Sequence, residues 1–415
     1  MENVYDIRYK KSLSYIISTD EKSEIESDKL YEKTAVVLYL YYEDTVHLYF
    51  KYINSISENI HLYIISSVES VLDKCREYIR EKKRDNTFFI LKENRGRDIT
   101  ALLIAMGERV LNYTYVAFVH DKKERTPEKK KDTDLWVENL WGNIIENQNY
   151  IDKVLSLFEK NEKLGVLAPP DPIGDFFCAW YGYGWHGSFE ITKKLAEELE
   201  LCADLDINKP PVALGTALWF RTKALRKLFE HNWTYLDFDD KCLNNSNYLS
   251  YGIERIFPYV AQDAGYDTGE IMTLEYAQKQ NNYLHYTIAR IFAEMHSFFP
   301  IPDIESVNRY KRNLPRLEEF VAQNENIYLY GAGNMGRFCL SLLRRMGRDA
   351  EAFIISDEPK EAIIDGVPVF PIDNVAGTLN SKIGVVITVA HPIFQNQILD
   401  KLKEIGLKNI FVFWR

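Results

Sequence analysis

Cysteine pairs are missing from this chain. Its five cysteines, at 75, 178, 202, 242 and 339, form no CxxC pair, and the count is odd. That argues against a cysteine-bound zinc and a disulfide framework, and for a reduced, cytosolic protein. No apolar run reaches 18 residues, so no transmembrane helix is expected. The opening, Met1 to Asp6, lacks the basic-then-apolar layout of a signal peptide. A basic excess is also absent: the net charge of -10 excludes a general nucleic-acid binder. No internal repeat is present. Aromatic residues, in contrast, are plentiful, with 27 Tyr, 22 Phe and 7 Trp. They fill cores, and they also stack on sugars and bases. With 415 residues, 46% apolar and 27% charged, the chain has room for two or three soluble globular domains.

The most informative stretch runs from Asn86 to Lys123. An apolar run, Thr87 to Leu91, leads into Glu93-Asn94-Arg95-Gly96-Arg97-Asp98. Ile99, Leu102, Leu103, Met106 and Val110 then recur at helical spacing. A second apolar run, Tyr115 to Val119, ends in His120-Asp121-Lys122-Lys123. Such runs, bounded by turn residues, suit buried parallel strands. Ligands of open α/β sheets bind outside the carboxyl ends of the strands, where both charged clusters fall. Arg95, Arg97 and Lys122, with Asp98 and Asp121, would line one crevice suited to an anion such as a nucleotide diphosphate. The competing reading is a set of solvated turn charges, which are common and usually inert.

Thr34 to Tyr42 and His61 to Ser66 read as two earlier strands, giving the doubly wound start of an α/β domain. Residues 1–33 read as a leader or peripheral helix. The charged run 124–134 reads as an exposed loop, of a kind that sometimes closes over a ligand. Asp175 to Gly187 carries aromatics and glycines without strand or helix pattern. It is either a loop packed by its own rings or a platform on which Trp180, Tyr181, Tyr183 or Trp185, with His186, holds a sugar acceptor. Asp237 to Asp240 is an acidic turn with metal binding as its less favoured role. Ile253, Ile256, Phe257, Val260 and Ala261 form a helix face that Gly265 would end.

Residues 297–322, with three prolines, read as a connector. Tyr328 to Gly336 then places GxGxxG (Gly331, Gly333, Gly336) directly after a strand, with Asp357 ending the next strand. That is the dinucleotide fingerprint in its required context. The unit resembles the small sugar-nucleotide-binding domains of bacterial sugar acyltransferases, notably in Asp365-Gly366-Val367-Pro368-Val369. Binding of a ligand and a purely structural or docking role both stay open.

Five segments in order resemble the rhamnan synthesis F family of bacterial polysaccharide glycosyltransferases. They are Glu93 to Asp98, Val119 to Lys123, Leu164 to Pro169, Gly215 to Arg221 and Ile253 to Tyr259. The resemblance implies a GT-A-like α/β fold, assigned to 34–296; outside it lie the connector and a small Rossmann-like α/β domain over 323–415. It implies transfer of a sugar, often rhamnose, from a nucleotide-sugar donor to a glycan or lipid-linked glycan acceptor. Asn94 to Asp98 and His120 to Lys122 would then hold the donor. Where the wider GT-A group has Asp-x-Asp for a divalent metal, this chain has His120-Asp121-Lys122, so no metal is assigned and the cofactor stays open. By the same resemblance Glu254, eleven residues before Gly265, is the candidate base of an inverting transfer. A structural pair with Arg255 is its alternative. The expected location is the cytoplasm, with Tyr283, Tyr286, Ile291 and Phe292 as candidates for a peripheral membrane contact. An NAD-dependent oxidoreductase using GxGxxG, and a non-catalytic assembly scaffold, are the other readings.

Overall fold

The computed structural model describes residues 14–20, 28–124, 126–173, 185, 187–203, 205–207, 215–238, 248–298, 304–378 and 382–415. The chain divides into two compact units, Met1–Tyr283 and Leu284–Arg415.

The first unit is built on an eight-stranded sheet. In chain order its strands are β1 (Ser14–Ile17), β2 (Thr34–Tyr39), β3 (His61–Ser66), β4 (Thr87–Leu91), β5 (Tyr115–His120), β6 (Leu164–Ala168), β7 (Leu218–Arg221) and β8 (Asp267–Thr273). Across the sheet they run β1-β8-β6-β7-β5-β2-β3-β4. All these neighbours are parallel except β7, which runs antiparallel to both β5 and β6. Every residue of β2, β5 and β6 is buried. Side chains alternate across a strand, and here they serve two cores. Val36 and Leu38 belong to one, with Val71, Leu72, Cys75 and Ile79 of helix α1 (Glu69–Lys82) and Ile151, Val154, Leu155 and Phe158 of α2 (Gln148–Lys160). Ala35, Val37 and Tyr39 belong to the other, with Leu195 of α3 (Phe189–Glu198) and Ile253, Ile256 and Phe257 of α4 (Leu249–Asp263). This is the mixed, doubly wound α/β architecture that the apolar runs suggested.

Two stretches differ from the sequence reading. Residues 14–17 lie within the expected leader, yet they pair in parallel with β8 at the sheet edge, more than 250 residues away along the chain. The charged run 124–134 leads not into a loop but into a single turn, Pro127–Lys129, and helix Lys130–Val137. Lys130 pairs with Asp134 one turn on at 3.0 Å, and Trp136 packs beside Gly215. Lysine and glutamate are good helix formers, and tertiary contact supplies the rest.

The second unit has its own sheet, in the order β11-β12-β10-β9-β13-β14. Its strands are β9 (Asn326–Tyr330), β10 (Ala352–Ile355), β11 (Ile363–Ile364), β12 (Val367–Pro371), β13 (Ile383–Ile387) and β14 (Ile410–Val412). Only β11 is antiparallel. The sheet winds from β9 through β10 to β12 on one side, then to β13 and β14 on the other. A second strand–helix–strand arm, β13 to β14 through helix Pro392–Glu404, therefore follows the GxGxxG arm. The expected connector is largely helix Ile304–Gln323, whose Leu317 and Val321 are buried in this unit's core. Asn313 in that helix donates to the carbonyl of Phe413 at 2.6 Å.

Candidate active site

In the first unit β2, β3 and β4 proceed one way across the sheet and β5 starts the other way, so the topological switch lies between β2 and β5. Tyr39 stands opposite His120, so the two strands end level with each other. A crevice at that point is the expected ligand site of such a sheet. Because β7 is antiparallel, the turn that precedes it, Gly215-Thr216, comes to the same edge.

The backbone after β5 is held on both sides. Trp141 donates its indole N–H to the carbonyl of His120 at 2.9 Å. The Lys122 N–H donates to the Tyr49 hydroxyl at 3.2 Å, and the Asp121 N–H to the Tyr39 carbonyl at 3.0 Å. His120 is buried, with Nδ1 at 2.9 Å from the carbonyl of Asp121 and Nε2 at 2.9 Å from that of Gly215. Carbonyls only accept, so a ring nitrogen that bonds one of them must carry its proton there. The Asp98 carboxylate lies 3.8 Å from Nε2. Burial pushes Asp98 upward, but His120, Lys122 and a hydrogen bond from Thr216 outweigh it and hold the carboxyl below the usual carboxylate range. Burial pushes the Lys122 ammonium down, opposed by Asp98 and Glu254. Its Nζ sits 3.9 Å from the centre of the Trp136 ring, a cation–π contact.

Asp121 is buried and accepts the N–H groups of Tyr41 and Tyr42 on Oδ2, at 2.8 and 2.9 Å. Burial nonetheless pushes its carboxyl up to about 6. With one oxygen turned to the backbone and Lys122 and His120 alongside, this donor set does not fit a divalent cation. Among the described residues no three His, Cys, Asp or Glu side chains converge as a metal site would need. In the acidic turn, Asp237 closes a capping box with Thr234, and Asp239 and Asp240 lie outside the described residues.

Glu254 stands in the first turns of α4, whose end is marked by Gly265 at φ +78°. Its Oε1 accepts the Gly215 N–H at 2.7 Å and pairs with Arg255 at 2.5 Å. The ion pair expected as one alternative is therefore present. The Gly215 backbone joins the two sides of the site, since its carbonyl meets His120 and its N–H donates to Glu254.

The turn after β4 is shaped by two left-handed residues in succession, Gly96 at φ +67° and Arg97 at +51°. A Cβ on Gly96 would lie 2.1 Å from the Thr100 methyl, so only glycine fits. Arg95 donates Nε to the carbonyl of Phe238, and Asn94 donates to the Tyr41 hydroxyl at 3.4 Å. Asp98, His120, Asp121, Lys122 and Glu254 are thus brought into one neighbourhood, with Arg97 close enough to act on Lys122. Three participants were not picked out from sequence. Trp136 carries no motif, and Thr216 lies in the segment Gly215 to Arg221 without a role of its own having been read there. Lys92 does carry a faint signal, a lysine directly after an apolar strand.

Of the aromatic stretch, Trp185 is a core residue. Its ring stacks on Tyr259 (5.9 Å, 16°) and meets Phe189 edge-on. Trp180, Tyr181, Tyr183 and His186 lie outside the described residues.

In the second unit Gly331 follows β9 at φ +114°, and Thr388 donates to the carbonyls of Tyr330 and Gly331 at 2.9 and 3.1 Å. A Cβ on Gly336 would lie 1.9 Å from the Gly331 carbonyl oxygen, whereas one on Gly333 would meet nothing within 4 Å. The first and third glycines thus have structural reasons, and the second borders open space. Asp357 is exposed just past the end of β10.

Residues 326–402 match the family model described as the PglD N-terminal domain. No curated protein matches the chain. Among solved structures it is similar to the acetyltransferase domain of PglB from Neisseria gonorrhoeae FA1090, alone and in complex with acetyl coenzyme A. Each is 20% identical, with 20% of this chain and 42% of that chain covered and a TM-score of 0.18. The chain thus spans less than half the length of those structures, and the likeness carries no argument. Residues 1–266, of the chain's 415, match the model described as Rhamnan synthesis protein F, and the chain belongs to that family.

Proposed function

We propose that the protein is a glycosyltransferase of GT-A-like fold that moves a sugar, with rhamnose as the first candidate, from a nucleotide donor to a growing cell-surface glycan. Membership of the rhamnan synthesis F family supports a sugar-processing role. The observation that carries the reading is convergence. Four separated stretches bring Asp98, His120, Lys122, Thr216 and Glu254 to the switch point of one sheet. Asn94 to Asp98 and His120 to Lys122 take the donor. Lys122 and Arg97 neutralise the diphosphate as point charge and fork, in place of a metal. Glu254 is fixed through Oε1, and Oε2 is the atom we assign to take the acceptor hydroxyl's proton. The hydroxyl oxygen then bonds to the anomeric carbon as the bond to the diphosphate breaks, so configuration inverts. Acceptor contacts are assigned to Trp180, Tyr181, Tyr183 and His186.

The second unit is read as an accessory nucleotide-sugar or docking module, with the space beside Gly333 as its ligand position. Calorimetric titration of the whole protein with a panel of nucleotide sugars, and with NAD, tests both units. Saturable binding of a nucleotide sugar, weakened by Lys122→Ala, is expected. Binding of NAD alone would turn the reading to an oxidoreductase, and binding of neither to a scaffold.

A further inference from the structure

Lys92 is buried at 5% exposure, and no step above uses it. Its Nζ donates to the carbonyl of Glu93 at 2.7 Å, the carbonyl of Arg95 at 3.1 Å and the hydroxyl of Ser67 at 3.2 Å. Three donors thus meet three acceptors, the full capacity of an ammonium. The rings of Tyr39 and Tyr235 lie 5.2 and 5.8 Å from the same nitrogen. Thr100 completes the arrangement. Its hydroxyl bonds the carbonyls of Arg95 and Arg97, and its N–H donates to that of Gly96 at 3.3 Å. The carbonyls of Glu93, Arg95, Gly96 and Arg97 are therefore all turned toward the protein. In a trans peptide the following N–H points the opposite way. A turn with left-handed residues at 96 and 97 would not hold this orientation by propensity, because Arg97 is strained there. Polar groups drawn to one buried charge supply the constraint.

We infer that Lys92 is a positioning residue for donor binding: its ammonium fixes the 93–98 turn so that peptide N–H groups and the arginines face the anionic donor. This rests on the reading of that turn as donor-binding. Lys92 acts through the backbone and touches no reacting atom. The groups facing it are Tyr39 from β2, Ser67 after β3, Glu93 and Asp98 from its own turn, and Tyr235 from the one-turn helix Tyr235–Asp237. Burial pushes its ammonium down to about 8, with Asp98 and Glu93 opposing. Above that pH the nitrogen loses one donor and its charge, so donor affinity falls as pH rises.

The test uses the full chain, with Lys92→Met and a nucleotide-sugar panel. The expected result is a donor Kd and donor KM raised roughly tenfold, with kcat and acceptor KM within about twofold. Wild type should also lose affinity between pH 7 and 9 in a step that the Met variant lacks. Amide exchange should quicken at 93–98 and nowhere else. If Lys92→Met does not fold, Lys92→Gln, which keeps two donors without the charge, carries the same test with a smaller loss. Unchanged donor affinity and pH profile in a folded variant overturn the inference alone. Wild type that binds no nucleotide sugar overturns the donor reading and this inference with it. A fall in kcat with donor affinity intact would make Lys92 something other than a positioning residue.

Discussion

Lys122 is the residue on which the proposed metal-free chemistry turns. In the proposed donor site it stands in for a metal, and Asp98, Glu254 and Asp121 act on its ammonium. Lys122→Ala should therefore abolish most transfer, while a chelator leaves the wild-type rate unchanged. Loss of activity in chelator, restored by manganese, would contradict that assignment. Glu254 raises a sharper question, because its pair with Arg255 and its bond from Gly215 also serve the fold. Glu254→Gln keeps an oxygen to accept the Gly215 N–H but cannot take a proton. It should bind donor normally and turn over roughly 10²-fold more slowly, with inversion at the anomeric carbon in wild-type product. Near wild-type turnover, or a retained configuration, would move the base to another acid, with Asp121 first in line. Asp98, His120, Asp121 and Lys122 were singled out in the sequence through two clusters at apolar-run ends, and Glu254 only through the family resemblance. Their partners were not. The Thr216 bond to Asp98 and the Gly215 bonds to His120 and Glu254 join stretches 39 to 118 residues apart.

At the scale of elements, the two strand–turn–helix units carry different kinds of constraint. After β4 the turn needs Gly96 for space, and charges hold the rest in place. After β9 the three glycines separate cleanly. Gly336→Ala would put a methyl into the Gly331 carbonyl and should cost the second unit more than about 2 kcal/mol. Gly333→Ala meets open space at an ordinary φ and should change stability by less than about 1 kcal/mol, read as separate thermal transitions. If Gly333→Val also leaves glycosyl transfer intact, the second unit is accessory to that reaction. Equal destabilisation by the two alanine variants would show that the space beside Gly333 is not as open as described. The fingerprint was readable because all three glycines and Asp357 lie within 27 residues, where spacing alone locates them. The helix Lys130–Val137 was not readable, because its composition resembles a solvated loop and its Trp136 anchor is tertiary.

For the whole molecule, the question is where an acceptor would be met. Among the described residues no helix is long and apolar enough to cross a membrane. Helix Leu274–Phe298 exposes Tyr286, Ile288 and Ile291, while Tyr283 is partly buried against Met272 and Tyr276. If the acceptor is lipid-linked, the full chain should float with anionic liposomes, and Ile291→Glu should weaken that flotation. No co-flotation with or without acceptor lipid would count against a membrane contact. The amino-acid order by itself determined the two α/β sheets, because buried parallel strands must be written as continuous apolar runs and the winding follows from their alternation with helices. It also determined the fingerprint and the two charged clusters, which are local patterns. Only the tertiary structure decided that residues 14–17 close an edge beside β8, that Trp185 belongs to the core, and that Lys92 is buried beneath a turn. Each of these depends on a partner far along the chain. Pairing and burial are set by what the rest of the fold brings alongside, and no local periodicity records that.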